Sequence, residues 1–418
     1  MALMKNIVPI ILTGAFGLTL LAQGIPTPIG FVTISTLALL IGVGYIVKHR
    51  QSMGLPIIPV VVLKMPIVIA SLVYFSLGVL SITLADNKFM CVKEMIQRVL
   101  IILLPMFVFC LVPRKPEDLK KVILQYLPVC GFIALVAAYD AHHSGFSKPA
   151  YTFGMHKNHI AGSCSIMATI AIAALLTSGN LKRRMYMFVC LGVGLLGCVA
   201  SQGKAGLCCI IVATTFMLIA HGAKPRNILY FVGSVLLIGG VLWNFLPKEA
   251  IEHVVSTKKF STNEIRMSLW TDVLPVLIKE PFTAVGWGNM LVKNDRFFGD
   301  CACVLLYDWF QLTIVGALAL VTIIILAIKL PLDNARRIPK NSPMAFVNLV
   351  ALGIICGRFT HSMVDTFWIG RGVTLTAWAA IGMAIFIKLY LDQLQSRARG
   401  SGVASDSRLT YAKQSSAR

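Results

Sequence analysis

Residues 159–200 read HIAGSCSIMATIAIAALLTSGNLKRRMYMFVCLGVGLLGCVA, and the fold class follows from that pattern. Every Lys and Arg in the stretch sits in Lys182-Arg183-Arg184, between two apolar runs at 159–178 and 185–200. A helix of about 20 apolar residues crosses the hydrocarbon core of a bilayer. The two runs therefore read as a pair of transmembrane helices joined by a basic turn.

Working outward, the pattern recurs. Apolar runs at 6–23, 28–47, 66–85, 96–112 and 121–139 come before it. Runs at 205–220, 227–246, 303–328, 344–361 and 372–391 come after it. Pro56–Leu63 is apolar but too short to span; it extends the third helix or lies at the interface. The chain is 57% hydrophobic and 13% charged. Soluble domains carry roughly 45–50% apolar and about 25% charged residues. The expectation is an all-α integral membrane protein with about twelve transmembrane helices. It occupies residues 1–395 as one membrane domain, followed by a basic, Ser/Arg/Ala-rich tail at 396–418 that reads as disordered.

The net charge is +21. In a soluble protein that balance points to nucleic acid. Here Lys and Arg collect in alternate connections: Lys48-His49-Arg50, Arg114 to Lys121, Lys182 to Arg184, Lys224 with Arg226, Lys329 to Lys340, and the tail. If both termini share one side, all these connections fall on it, and the positive-inside rule makes that side cytoplasmic. No nucleic-acid partner is expected. Most Cys residues lie inside apolar runs, where they act as small packing residues. The first run lacks a small-residue cleavage site and reads as a retained helix.

Three pieces fall on the opposite side: 140–158, the large loop 247–302, and the link 365–371. Within the large loop, Ser261-Thr262-Asn263-Glu264 has the form of a capping box. Ile265, Leu269, Val273 and Leu277 then follow at four-residue spacing, one face of a short amphipathic helix. Arg266 and Trp270 are neighbours on it. Pro281 ends the pattern and Gly286-Trp287-Gly288 makes a tight turn.

Ionisable groups at a membrane boundary are costly unless they face a cavity or a partner. The informative ones gather at this second side: Arg98, His156 and Lys157 with Asn158, Lys204, Arg266, Arg358, His361, Asp365 and Arg371. Each has a plainer reading. Lys204 can cap its hairpin or snorkel, Arg266 can stack on Trp270, Arg371 can pair with Asp365, and His361 can bridge helices. Taken together, the cations match a diphosphate carried on a lipid, because Arg grips phosphate bidentately and Lys adds a point charge. There is no P-loop, no acidic pair for a metal-bound nucleotide sugar, and no third ligand beside His142-His143 for zinc.

Between residues 150 and 375 the chain resembles the O-antigen ligase family, which shares its fold with O-antigen polymerases. The resemblance rests on His156-Lys157-Asn158 opening a helix and on Ser201-Gln202-Gly203-Lys204 at a hairpin. It rests further on Arg266-Met267-Ser268-Leu269-Trp270, on Pro281-Phe282, on Gly286-Trp287-Gly288, and on Asp365 with Arg371. It implies a GT-C-like glycosyltransferase of the bacterial inner membrane. Such a protein works on the periplasmic side, without metal or other cofactor. It moves a glycan from undecaprenyl diphosphate to lipid A-core, as in lipopolysaccharide biosynthesis, or to a growing chain. Membrane lipid is a further partner.

Arg266 and Lys204 would be catalytic, gripping the diphosphate. His156, Lys157, Asn158, Trp270, Asp365 and Arg371 would bind substrate. The hairpin position often holds Arg in the family and is Lys204 here. The His usual before the helix after the large loop is absent from Gly299-Asp300-Cys301-Ala302-Cys303. The general base is then Asp300 or, second, His361. A transporter or flippase of lipid-linked glycan is the rival from another class; it calls for broken helices and charges near the midplane, often with inverted repeats, whereas the sequence shows no clear repeat and sets its charges near one face.

The topology is open to direct test. A Cys introduced beside Lys258 is expected to react with a membrane-impermeant reagent from the periplasmic side, and one in the Lys182–Arg184 turn only from the cytoplasm. The reverse labelling would invert the reading.

Overall fold

The computed structural model describes residues 2–17, 25–27, 30–145, 149–150, 152, 155, 157–226, 229, 233, 262–289, 303–364 and 374–415. For 2–6, 17, 25–27, 30–32, 262–266 and 398–415 this means the backbone alone. The described residues are helical apart from one short antiparallel hairpin, β1 (Ile25–Thr27) with β2 (Gly30–Val32). That hairpin takes the first part of the run expected to be helical at 28–47. Pro26, Pro28 and Gly30 explain why, since they disfavour helix.

The helices are α1 (Ala2–Gly17), α2 (Ile34–Gln51), α3 (Val60–Leu63), α4 (Pro66–Leu84), α5 (Lys88–Arg98), α6 (Leu104–Leu111) and α7 (Pro116–His143). They continue with α8 (Lys157–Thr177), α9 (Leu181–Ala200), α10 (Lys204–His221), α11 (Thr262–Lys279), α12 (Val304–Ala335), α13 (Pro343–Ser362) and α14 (Thr374–Ser415). A π turn, Val99–Leu103, joins α5 to α6. Among the described residues, nine helical units are long and apolar enough to cross a membrane. They are α4, the α5–α6 unit, α7 to α10 and α12 to α14. The protein is a multi-pass, all-helical membrane protein. The expected span at 227–246 lies outside the described residues. The helical backbone of α14 continues into the segment from Ser396 that the composition reads as disordered.

Local chemistry sets the helix ends. Side-chain oxygens of Thr33, Asn87, Asn180 and Ser342 accept from backbone amides in the first turns of α2, α5, α9 and α13. Proline opens α4, α7 and α13. Gly222 closes α10 at φ +78°, a left-handed conformation that glycine adopts without strain.

The basic connections meet in pairs at one end of the bundle. Arg114 donates to the Tyr45 hydroxyl at 2.8 Å, Lys340 lies against Gly222, and Arg337 pairs with Asp392 at 2.6 Å. At the centre, α8, α13 and α14 are enclosed on nearly all sides. Such helices pack through small residues, because lipid offers no hydrophobic drive toward association. On α9, a Cβ at Gly194 would lie 3.1 Å from the Cys164 carbonyl oxygen, and one at Gly197 would lie 2.8 Å from Ala134 Cβ. Asn348 and Asn334 tie α12 to α13 and α14 by donating to Pro331 O and Ala384 O, at 2.8 and 2.9 Å.

Gly197→Leu is expected to overpack the α7–α8–α9 contact and to cost about 1–3 kcal/mol. Thermal unfolding of the purified protein in detergent checks this; an unchanged midpoint would show that the helices have room there.

Candidate functional site

The end opposite the basic connections is built by a hairpin seated on a helix start. Ser201 Oγ donates to Cys198 O at 2.8 Å and accepts from Gly203 N at 3.2 Å, which draws the chain into a tight corner. Gln202 takes φ +52°, in the left-handed region. Gly203 follows, buried so closely against Ala161 that a Cβ would collide with the Ala161 side chain. At Gly206 a Cβ would stand 2.9 Å from the Ala161 carbonyl oxygen. The Ser201–Lys204 corner is thereby pinned to the first turn of α8. Lys157 and Asn158 are half-buried in that same turn, and Lys204 opens α10 with an exposed side chain. The two motifs that the sequence reading grouped by resemblance are brought together by packing.

Beneath them lies Arg358 of α13, fully buried. Its guanidinium donates to the Gly162 carbonyl and, at 2.9 Å, to Ser165 Oγ, both on α8. Its other terminal nitrogen is 3.5 Å from His361 Nδ1. Gly162 follows Lys157 by little more than one turn of α8. Among the described residues no carboxylate forms an ion pair with Arg358. Lys157 thus opens α8 and Lys204 opens α10 where the two helices pack, and Arg358 is buried against α8 at Gly162 and Ser165. His361 is fully buried and turned toward Arg358, away from any open mouth.

The second part of this end is the segment from Thr262 to Asn289. On α11, Val273 and Leu277 pack on Leu306, Tyr307, Trp309 and Phe310 of α12. These two residues belong to the apolar face that the four-residue spacing predicts. Trp270 is half-buried on α11, and Arg266 lies on the same helix with its side chain outside the described set. His156, Asp300, Asp365 and Arg371 lie outside the described residues.

The segment after α11 enters the bundle. Helix α12 breaks at Thr313, where φ is +72° and ψ 175°. The break frees backbone groups that lipid cannot satisfy. Pro281 O accepts from Ile314 N at 2.9 Å, and Val285 N and Gly286 N donate to Phe310 O and Gln311 O at 3.3 and 3.1 Å. The chain then turns at Gly286 and Gly288, with φ +82° and +73°, and drives Trp287 fully into the interior. Its ring lies over Gly78 of α4, where any Cβ would clash, and packs on Tyr74 and Phe75 at centroid distances of 5.5 Å.

On the other face of Trp287 sits Arg98, with its guanidinium carbon 4.5 Å from the ring centroid. Arg98 is fully buried. It donates to Glu94 Oε1 at 3.1 Å, to the Tyr74 hydroxyl at 2.7 Å and to Gln311 Oε1 at 2.9 Å, and it pairs with Asp308 at 3.4 Å. Tyr74 in turn donates to Asp308 Oδ2 at 2.7 Å.

The sequence reading placed Arg98 at the start of the fourth span and left Asp308, Glu94, Tyr74 and Gln311 aside. The helix in fact begins at Lys88, so Arg98 lies about three turns in. The available signal was two opposite charges, Arg98 and Asp308, inside two separate apolar runs.

No protein-family model and no curated protein matches the chain.

Arg98→Met is expected to destabilise the fold by about 3–5 kcal/mol, since it leaves Asp308 buried beside the membrane interior without its cation. Adding Asp308→Leu should recover part of the loss. Denaturant unfolding of the single and double variants decides it; equal stability of Arg98→Met and wild type would mean the pair contributes nothing.

Proposed function

We propose that this protein is a membrane glycosyltransferase that moves a glycan from undecaprenyl diphosphate to an acceptor at the end of the bundle carrying Lys204 and Lys157. The observation that carries the reading is the seating of the Lys204 hairpin on the Lys157–Asn158 start of α8, with Arg358 buried below. The start of α10 adds to the positive potential there, and Gly203 gives it no side-chain cap. An anion of high charge, such as a lipid diphosphate, complements that arrangement.

In the proposed reaction the acceptor hydroxyl attacks the anomeric carbon. A new glycosidic bond forms, the bond to the diphosphate oxygen breaks, and the acceptor proton passes to a base. Lys204 and Arg266 stabilise the charge that grows on the leaving diphosphate, and Lys157 and Arg371 assist. Asp300 is the first candidate for the base. His361, enclosed against Arg358, fits a positioning role better than that of a proton acceptor.

Counting α1, α2 and the apolar run at 227–246 with the nine units would give the twelve spans that the hydropathy pattern predicts for a GT-C-like protein. In this reading both termini are cytoplasmic and the site faces the periplasm from a bacterial inner membrane, the orientation that the positive-inside rule favours. Ligation of O-antigen to lipid A-core is the first reading. Polymerisation of repeat units is the alternative, since it uses the same donor chemistry.

Reconstitution with a lipid-linked glycan and separate acceptors tests the assignment. Transfer to lipid A-core marks a ligase and growth of the donor chain a polymerase; neither product would overturn the reading. Arg266→Ala is expected to abolish transfer, with Arg266→Lys restoring part of it. Lys204→Arg should keep the rate. Lys204→Gln should lower it roughly ten- to hundredfold, the kinetic equivalent of one charge-assisted hydrogen bond of about 1.5–3 kcal/mol. A Lys204→Gln rate near wild type would remove this residue from the site.

A further inference from the structure

At the basic end of the bundle a pocket of about 470 Å³ opens between the first turns of α7 and α9. Lys120 and Lys121 come from α7, Arg183 from α9, and the single acidic group on the rim is Glu117. Lys120 and Arg183 are half-buried. None of the three cations forms an ion pair among the described residues. Like charges held together in partly enclosed surroundings, with one carboxylate for three cations, leave an electrostatic cost that a bound anion removes.

The inner wall of the pocket has the opposite character. Leu124, Tyr186 and Met187 line it. The adjoining face of α9 is exposed and apolar at Met185, Phe188 and Val189, on a helix long and apolar enough to cross a membrane. That face meets acyl chains. The cations stand within a turn or so of the helix starts, the depth of lipid headgroups. Met187 is buried, but Leu124 is partly and Tyr186 largely exposed, and a soluble anion would satisfy the rim and leave these two uncovered. A lipid with a negatively charged headgroup satisfies both.

We propose that this pocket is a binding site for an anionic phospholipid. Its phosphate lies among Lys120, Lys121 and Arg183, and the upper part of one acyl chain covers Leu124 and Tyr186. Basic pockets between membrane helices at a Lys/Arg-rich face bind such headgroups. The site is separate from Lys204, at the other end of the bundle, and stands whether or not the transferase reading holds.

Native mass spectrometry of the full chain, released from detergent with added phosphatidylglycerol or phosphatidylcholine, tests the proposal. Phosphatidylglycerol is expected to be retained preferentially. Lys120→Gln and Arg183→Gln should each weaken its retention about fivefold, the equivalent of roughly 1 kcal/mol per cation. Lys182→Gln, which changes an exposed lysine of the same turn outside the pocket, should leave retention unchanged. Met187→Trp should also weaken retention by filling the wall. Circular dichroism and unfolding midpoints confirm that the variants stay folded. Equal retention of both lipids would overturn the proposal. So would retention unaffected by the Lys120 and Arg183 changes. Displacement of the lipid by soluble glycerol phosphate at equal concentration would show a site for a free phosphate ester, and would overturn the lipid assignment.

Discussion

Inside a bilayer every backbone amide and carbonyl has to find its partner within the protein. That constraint is most demanding at Thr313, where α12 loses its helical geometry. The segment from Pro281 to Gly286 supplies the missing partners, through Pro281 O and the amides of Val285 and Gly286. The consequence reaches well beyond the break. The same segment joins α11 to the turn that carries Trp287, so satisfying the backbone of α12 also anchors the helix that bears Arg266 and Trp270.

Trp287 and Arg98 complete the anchor from the other side. A buried guanidinium is costly, and four side chains and one ring share that cost: Glu94, Tyr74, Asp308, Gln311 and the Trp287 face. The network joins α4, α5 and α12 with the incoming turn. Replacing such a network with apolar residues of the same shape is often neutral for stability. What it supplies here is geometry, since the ring of Trp287 is held over Gly78 between Tyr74, Phe75 and the Arg98 guanidinium.

The Lys204 end is held by different means. There the backbones approach closely through Gly203, Gly206 and Ala161, and Arg358 reaches across from α13 to the Gly162 carbonyl. Small residues allow the approach and one long cation fixes the register between α8 and α13. Lys157 and Lys204 then open two helices, α8 and α10, that are packed together close to their starts.

Hydropathy and loop charge were enough to establish a multi-pass helical membrane protein, because the requirement for about 20 apolar residues per crossing is written locally in the chain. They also marked the hairpin at Ser201–Lys204, the spacing of Val273 and Leu277, and the turn at Gly286–Gly288. In each case short-range chemistry is decisive. Hydropathy could not reveal that the helix carrying Arg98 starts at Lys88, since Lys88, Lys93, Glu94 and Gln97 interrupt the apolar residues before it. Nor could it show that Arg98 belongs with Asp308, more than two hundred positions away. The approach of Gly203 to Ala161, the break at Thr313 and the pairing of Lys120 with Arg183 around a pocket were equally out of reach. These depend on which helices become neighbours, and that choice is made by packing and by backbone satisfaction across the whole bundle, for which no local pattern in the sequence is a sufficient sign.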